Sequence, residues 1–282
     1  MLLTTMRTIP LPSGEVIPVL GQGTWHMAEI PEFREQEIAA LRLGLDLDMT
    51  LVDTAEMYAD GATEVLVGEA IAGRRNEVFL VSKVLPHHAT RDGTIAACQG
   101  SLRRLGTDHL DLYLLHWRGP VPLEETLAGF TELMHMGLIR HWGVSNFDEP
   151  DMRELSQLAG SAGVQTDQVL YNLMRRGIEW DLLPWCLEYQ IPIMSYSPIE
   201  QGELLSHPAL RGVAERHDAT PAQVALAWVI RHRNVNAIPK MATPGHVYQN
   251  RAAVGIDLSP NDLHVLNVAF PPPLHKVPLE MH

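Results

Sequence analysis

The sequence predicts a (β/α)8 barrel of the TIM type with a β-hairpin at its floor, and three observations predict it. Eight short apolar, β-rich runs recur along the chain: VLGQGTW (19–25), TLVDTA (50–55), VFLVSKV (78–84), LDLYLLH (110–116), HWGVSN (141–146), DQVLYN (167–172), IPIMSYSP (191–198) and VNAIPK (235–240). Between them lie segments whose apolar residues step by three and four, such as Ile95, Cys98, Leu102 and Leu105, or Leu123, Leu127, Phe130 and Met134. The 282 residues, 46% hydrophobic, suit one barrel over 1–282, with no linker long enough to divide them. Continuous apolar strands joined by helices call for a parallel sheet covered on its outer side. A doubly wound open sheet is the runner-up, but Gly21-Gln22-Gly23 has His26 where a dinucleotide fingerprint needs its third glycine.

The elements follow in order. RTIPLPSGEVIPVLG, two apolar runs around Ser13-Gly14, reads as a hairpin ahead of the first barrel strand. Thr220-Pro221 with Gln223, and Ser259-Pro260 with Asp262, are helix starts: a capping hydroxyl, a first-turn proline and a reciprocal partner.

The formal charge of −13 repels phosphate backbones and anionic lipid, so nucleic acid and membranes are excluded as partners. Cys98 and Cys186 form no C-x-x-C pair, which suits a reducing compartment, and a cytoplasmic monomer is the expectation. The opening MLLTTMRTIPLPSG lacks the apolar core of an export signal. His87-His88 have no carboxylate partner at ligand spacing, so no metal site is expected. Gly143-Val144-Ser145-Asn146-Phe147 misses the second glycine of a nucleophile elbow.

Barrel enzymes carry their chemistry at the C-terminal ends of the strands. The polar residues ending these runs are Asp53, Lys83, His116, Ser145-Asn146, Gln168 with Asn172, Tyr196-Ser197 and Lys240. Singly, each has a structural explanation: a loop cap, a satisfied core histidine, a snorkelling lysine. Together they describe one pocket. Asp53 and Lys83 end neighbouring strands, so the carboxylate can neutralise an ammonium that is costly to bury. Tyr58, five residues after Asp53, can fold back over the rim. An ammonium beside it favours the phenolate, so the expectation is a pKa lowered from about 10 and a usable proton donor. His116 adds a second donor. Such a pair suits a carbonyl oxygen gaining negative charge, and no side chain can supply the hydride, so a reduction implies a nicotinamide cofactor.

VDTAEMYADGATEVLVGEAI, LVSKV, LDLYLLHW, WGVSNF, SYSP and IPK, in this order and across nearly the whole chain, resemble the aldo-keto reductase family, particularly its bacterial methylglyoxal-reductase-type members. The resemblance implies a barrel that binds extended NADPH at its C-terminal rim and reduces aldehydes or ketones to alcohols. It implies a catalytic tetrad of Asp53, Tyr58, Lys83 and His116, with Tyr58 as general acid. Ser145, Asn146 and Gln168 would hold the carboxamide and Tyr196 would stack on the nicotinamide. The implied cofactor contacts also include Gly23, Thr24, Asp53, Ser197, Pro198 and Ile199. Trp25, Met57 and Trp117 would form an apolar wall around the carbonyl.

The adenosine-phosphate segment departs from the family pattern. After Lys240 the family has a serine or similar residue, later an arginine, then a Glu-Asn pair, where this chain has Met241, His246 and Gln249-Asn250. Lys240, Thr243 and His246 remain as phosphate contacts. Histidine lacks arginine's permanent charge and planar fork, so NADPH is expected with a weaker preference over NADH. Glu200 falls in a stretch that is small in relatives and wraps the pyrophosphate, so its charge is expected to point away. The loop WRGPVPLEE and the tail after Phe270 are brief, which predicts a shallow pocket for small aldehydes, methylglyoxal-like dicarbonyls and aromatic aldehydes. Two other classes stay open: a cofactor-binding sensory subunit on a reductase barrel, and a lyase using Lys83 as a Schiff-base nucleophile.

Overall fold

The computed structural model describes residues 4–158 and 160–282; residues 1–3 of the segment read for an export signal lie outside them. At the amino-terminal side, β1 (Thr8–Pro10) and β2 (Val16–Pro18) pair antiparallel with Ile9 opposite Ile17. Gly14 takes φ +88° in the turn, a conformation that costs glycine nothing. Both isoleucines are buried. The hairpin is fastened under the barrel, where Ser13 N donates to Gln165 Oε1 (2.9 Å) and Arg7 donates to Ile230 O (2.8 Å).

Eight parallel strands follow in chain order: β3 (Gln22–Gly23), β4 (Leu51–Asp53), β5 (Phe79–Val84), β6 (Leu110–Leu115), β7 (Ile139–Ser145), β8 (Val164–Leu170), β9 (Ile193–Tyr196) and β10 (Val235–Ala237). The first and last close the ring. Gly21 N donates to Ala237 O (2.8 Å), Ala237 N to Val19 O (3.0 Å) and Gly23 N to Pro239 O (3.1 Å). Gly23 is needed there, since a Cβ would lie 2.4 Å from Ile238 O. β5 and β6 are buried along their whole length, as strands covered on both faces must be.

The helices form the outer layer: α1 (Arg34–Asp46), α2 (Ala62–Ile71), α3 (Arg91–Leu105), α4 (Leu123–His135), α5 (Glu149–Ser156), α6 (Leu182–Glu188), α7 (Pro208–Arg216), α8 (Pro221–Val229), α9 (Pro244–Ala252) and α10 (Pro260–Ala269). Reciprocal capping boxes start α8 at Thr220 and α10 at Ser259, as read from the sequence, and a third starts α5 at Asp148. In α3 the stripe of Cys98, Leu102 and Leu105 is buried. In α4 the expected stripe fails at its end: Met134 is 42% exposed and Leu133 is buried instead. The buried face there is centred on Thr126, Gly129 and Leu133, and the first two are small residues that an apolar count passes over. Among the described residues, no helix is long and apolar enough to cross a membrane, and no cluster of His, Cys, Asp and Glu could hold a metal ion.

Candidate active site

Lys83 is the fifth residue of β5 and has no solvent exposure. All three of its N–H donors are used: Nζ lies 2.9 Å from Asp53 Oδ2, 2.9 Å from Thr54 O and 3.1 Å from Tyr58 OH. Asp53, the last residue of β4, divides its carboxylate, Oδ1 accepting from Gln168 Nε2 on β8 at 2.7 Å. Tyr58 reaches Lys83 because the chain after β4 turns back at once, Tyr58 N donating to Ala55 O (3.1 Å), and it then leaves through left-handed Ala59, Asp60 and Gly61 (φ 46°, 50° and 88°). His116 follows β6, with its ring centroid 6.0 Å from that of Tyr58 in an edge-on arrangement.

Burial raises the Tyr58 hydroxyl above the ordinary phenol range; Lys83 opposes this and Asp53 reinforces it. Lys83 acts in the expected direction, but the expected net lowering is overturned, because the group is removed from water and sees a carboxylate as well as the ammonium. Burial also works against the Lys83 charge, but Asp53 and Tyr58 outweigh it and hold the ammonium above ordinary lysine. Burial, and then Lys83, push His116 well below ordinary histidine, so it is neutral near pH 7. Its Nδ1 is buried without a partner, which favours the tautomer that leaves Nδ1 only a lone pair and carries the proton on Nε2. The site thus holds two neutral donors and one buried cation.

These groups stand at one end of a cleft of about 610 Å³. Gly23, Thr24, Trp25, Asp53, Met57, Tyr58, His116 and Trp117 all line it. So do Ser145, Asn146, Gln168, Tyr196, Ser197, Pro198, Ile199, Lys240 and His246. Lys83 sits behind the wall, touching the cleft through Tyr58 and Asp53. Asn146 is already engaged: Nδ2 donates to His116 O and Ser145 Oγ, both at 3.1 Å, and Oδ1 accepts from Tyr196 OH at 2.9 Å. Ser145 Oγ donates to Gln168 O (2.8 Å).

Four expected contacts lie outside the cleft lining. Met241 is completely buried and packs in the hydrophobic core. Thr243 spends its hydroxyl capping α9, accepting from His246 N at 3.2 Å. Gln249 faces solvent on α9 and Asn250 is buried beneath it. Glu200 does turn from the cleft, but it is buried and ion-paired: Asn172 Nδ2 lies 2.6 Å and Arg175 Nε 2.7 Å from its carboxylate.

The sequence reading missed His26, Gln201, Met281 and His282, all of which line the cleft. The tail is brief, but it is not remote from the site: the His282 ring lies 6.3 Å from Trp25 and 6.4 Å from Tyr196. A signal was present in Pro271-Pro272-Pro273, since prolines hold a chain extended and twelve residues at about 3.1 Å each can cross a barrel mouth. Among the described residues lining the cleft, Asp53 is the lone acidic side chain and is neutralised by Lys83, whereas Lys240 supplies an ammonium and four histidines supply ring nitrogens.

A closed parallel barrel with a lysine-backed tyrosine at its C-terminal rim defines a barrel oxidoreductase. The chain belongs to the aldo/keto reductase family, whose sequence model matches residues 19–267. It is 52% identical to the methylglyoxal reductase YeaE of Escherichia coli over 95% of this chain and 97% of that protein. It is 33% identical to the methylglyoxal reductase DkgB of Salmonella typhimurium over 76% of this chain and 79% of that one. The crystal structure of an aldo-keto reductase from Klebsiella pneumoniae in complex with NADPH superposes with a TM-score of 0.96 at 48% identity, covering 99% of this chain and 100% of that one.

Proposed function

We propose that this chain reduces small aldehydes and ketones, methylglyoxal-like dicarbonyls and aromatic aldehydes among them, with NADPH, and NADH as a poorer donor, in the cytoplasm and as a monomer. The observation that carries the reading is the contact of Lys83 Nζ with both Asp53 and Tyr58 at one end of the cleft. The donor set fits the cofactor: a tyrosine ring and amide side chains near the reacting end, and Lys240 and His246 towards the other. The likeness to a methylglyoxal reductase and to an NADPH-bound reductase supports the same reading.

When bound, the cofactor supplies the hydride. Tyr58, still protonated at neutral pH, donates its proton to the carbonyl oxygen as charge develops there. Lys83 then faces a phenolate across 3.1 Å, which offsets the cost of leaving that charge in a buried site. Neutral His116 orients the same oxygen through Nε2–H, and Trp25, Met57 and Trp117 exclude water around it. Asn146 exchanges a present partner for the carboxamide. Schiff-base chemistry at Lys83 is disfavoured, because a lysine held above its ordinary pKa with all three donors engaged is a poor nucleophile.

Tyr58→Phe tests the reading. NADPH binding is expected to hold within about twofold while aldehyde reduction falls by roughly 10²- to 10⁴-fold, the usual contribution of a general acid. Turnover close to the parent would mean that another group supplies the proton. For the parent enzyme, kcat for reduction should stay level from pH 6.5 to 10, since His116 has become neutral already below the first value and Tyr58 keeps its proton to beyond the second. A break near pH 8 would assign the proton to a different residue.

A further inference from the structure

Two walls of the cleft come from segments that no strand supports. One is the loop after β9, which contributes Ser197, Pro198, Ile199 and Gln201, and the other is the tail, which contributes Met281 and His282. The loop is conformationally demanding: Ser197, Glu200, Gln201 and Gly202 all take positive φ (45°, 45°, 51° and 97°), and three of them are not glycine. Something must hold it. Asn172, just past β8, donates through Nδ2 to Ser197 O (2.9 Å) and Glu200 Oε2 (2.6 Å), while its Oδ1 accepts from Met174 N (2.8 Å) and Arg175 N (3.0 Å). Arg175 completes the arrangement: Nε donates to Glu200 Oε1 (2.7 Å) and Nη1 donates to Glu280 Oε1 (2.7 Å). His282 Nε2 lies 3.6 Å from Glu200 Oε2. Farther along, the tail is fastened by Lys276 to Asp181 at 2.8 Å.

We propose that Arg175 is a positioning residue of this site, joining the cofactor-side loop and the substrate-side tail into one wall, so that ordering either segment orders the other. The physical reason is the burial of Glu200. A buried carboxylate that loses its cationic partner is strongly destabilised, so a shift of the 197–201 loop either carries Arg175 with it or does not occur. Glu280, on the opposite arm of the same guanidinium, follows. Met281 and His282 are the next residues in the chain and face the carbonyl end beside Trp25. This inference rests on the proposed placement of NADPH along the loop.

Hydrogen exchange of the full chain, with and without NADPH, separates the two ideas. In the parent, NADPH should slow exchange in both 197–202 and 276–282. Glu280→Gln removes the charge from only the tail arm, leaving at most a neutral hydrogen bond, at a partly exposed site (41% side-chain exposure), so folding is safe. In that variant, NADPH should still protect 197–202, protection of 276–282 should fall most of the way to the cofactor-free level, the His282–Glu200 contact being left in place, and KM for the aldehyde should rise by about tenfold with kcat within about twofold, a typical coupling between sites. Arg175→Met should also lose the tail protection and, because Glu200 is left without its cation, weaken protection of 197–202 as well, and Arg175→Lys should restore part of both. Tail protection that persists in Glu280→Gln and Arg175→Met overturns the coupling while leaving the reductase reading intact. Absence of NADPH protection in the parent overturns that reading and the coupling with it.

Discussion

The two ends of the cleft are built on different supports. At the carbonyl end Asp53, Lys83, Ser145 and Gln168 are strand residues and His116 directly follows a strand; none is more than 7% exposed. At the far end Lys240 and His246 are exposed, and the chain between them is loop and the first turn of α9. Lys240 Nζ rests on His26 O at 3.0 Å, and the described residues show no side-chain hydrogen bond from His246. The first end is fixed before any ligand arrives; the second is open to solvent and free to adjust. Preorganised groups belong where charge develops in the reaction, whereas a binding contact tolerates adjustment.

Replacing Lys83 tests the fixed end most severely. Lys83→Met leaves the Asp53 carboxylate buried with only Gln168 as partner, and unfolding in urea should show a loss of about 3–5 kcal/mol, the usual result of breaking a buried pair from one side. Adding Asp53→Asn should recover most of that stability but none of the reductase activity, because the amide no longer needs a cation while Tyr58 still lacks one. A Lys83→Met protein as stable as the parent would remove the distinction between the two ends.

The same division governs what could be read from the sequence. Strand runs announce themselves by continuous apolar residues, and a polar residue at the end of such a run is conspicuous, so Asp53, Lys83, His116, Ser145 and Gln168 were legible as a set. Tyr58 was legible only as a residue close enough to fold back. The direction of its pKa was not, since that depends on how completely Tyr58 is withdrawn from water, which no spacing reveals. At the open end, alignment of a motif placed Met241 beside a phosphate, yet the backbone turns its side chain into the core. Glu200 looked like an intruding charge because its partners, Asn172 and Arg175, lie 28 and 25 positions away in the chain. Met281 and His282 were missed for a related reason: a tail without periodicity gives no sign of where it lands.

Met241→Ser sharpens the contrast next. The change installs the hydroxyl that the family pattern has after the lysine, but in a completely buried position. It should cost about 2–5 kcal/mol through the lost methionine volume and a hydroxyl placed in an apolar setting. The ratio of kcat/KM for NADPH to that for NADH should not change. A clear gain in NADPH preference would show that residue 241 turns outward when the cofactor binds, which would make this end more mobile than its burial implies.

The smallest effect, and the most direct probe of the open end, is at His246. Its side chain lines the cleft on exposed backbone near Lys240. At a 2′-phosphate an imidazole offers one ring N–H where an arginine offers a permanent charge and a planar fork. Preference for NADPH over NADH should therefore be modest in the parent. His246→Arg should raise it by several-fold, about the worth of one exposed charge pair, with kcat for the aldehyde unchanged because the carbonyl end is separately held. A preference that His246→Arg leaves where it was would exclude residue 246 as the discriminating group and leave Lys240 as the phosphate contact at that end.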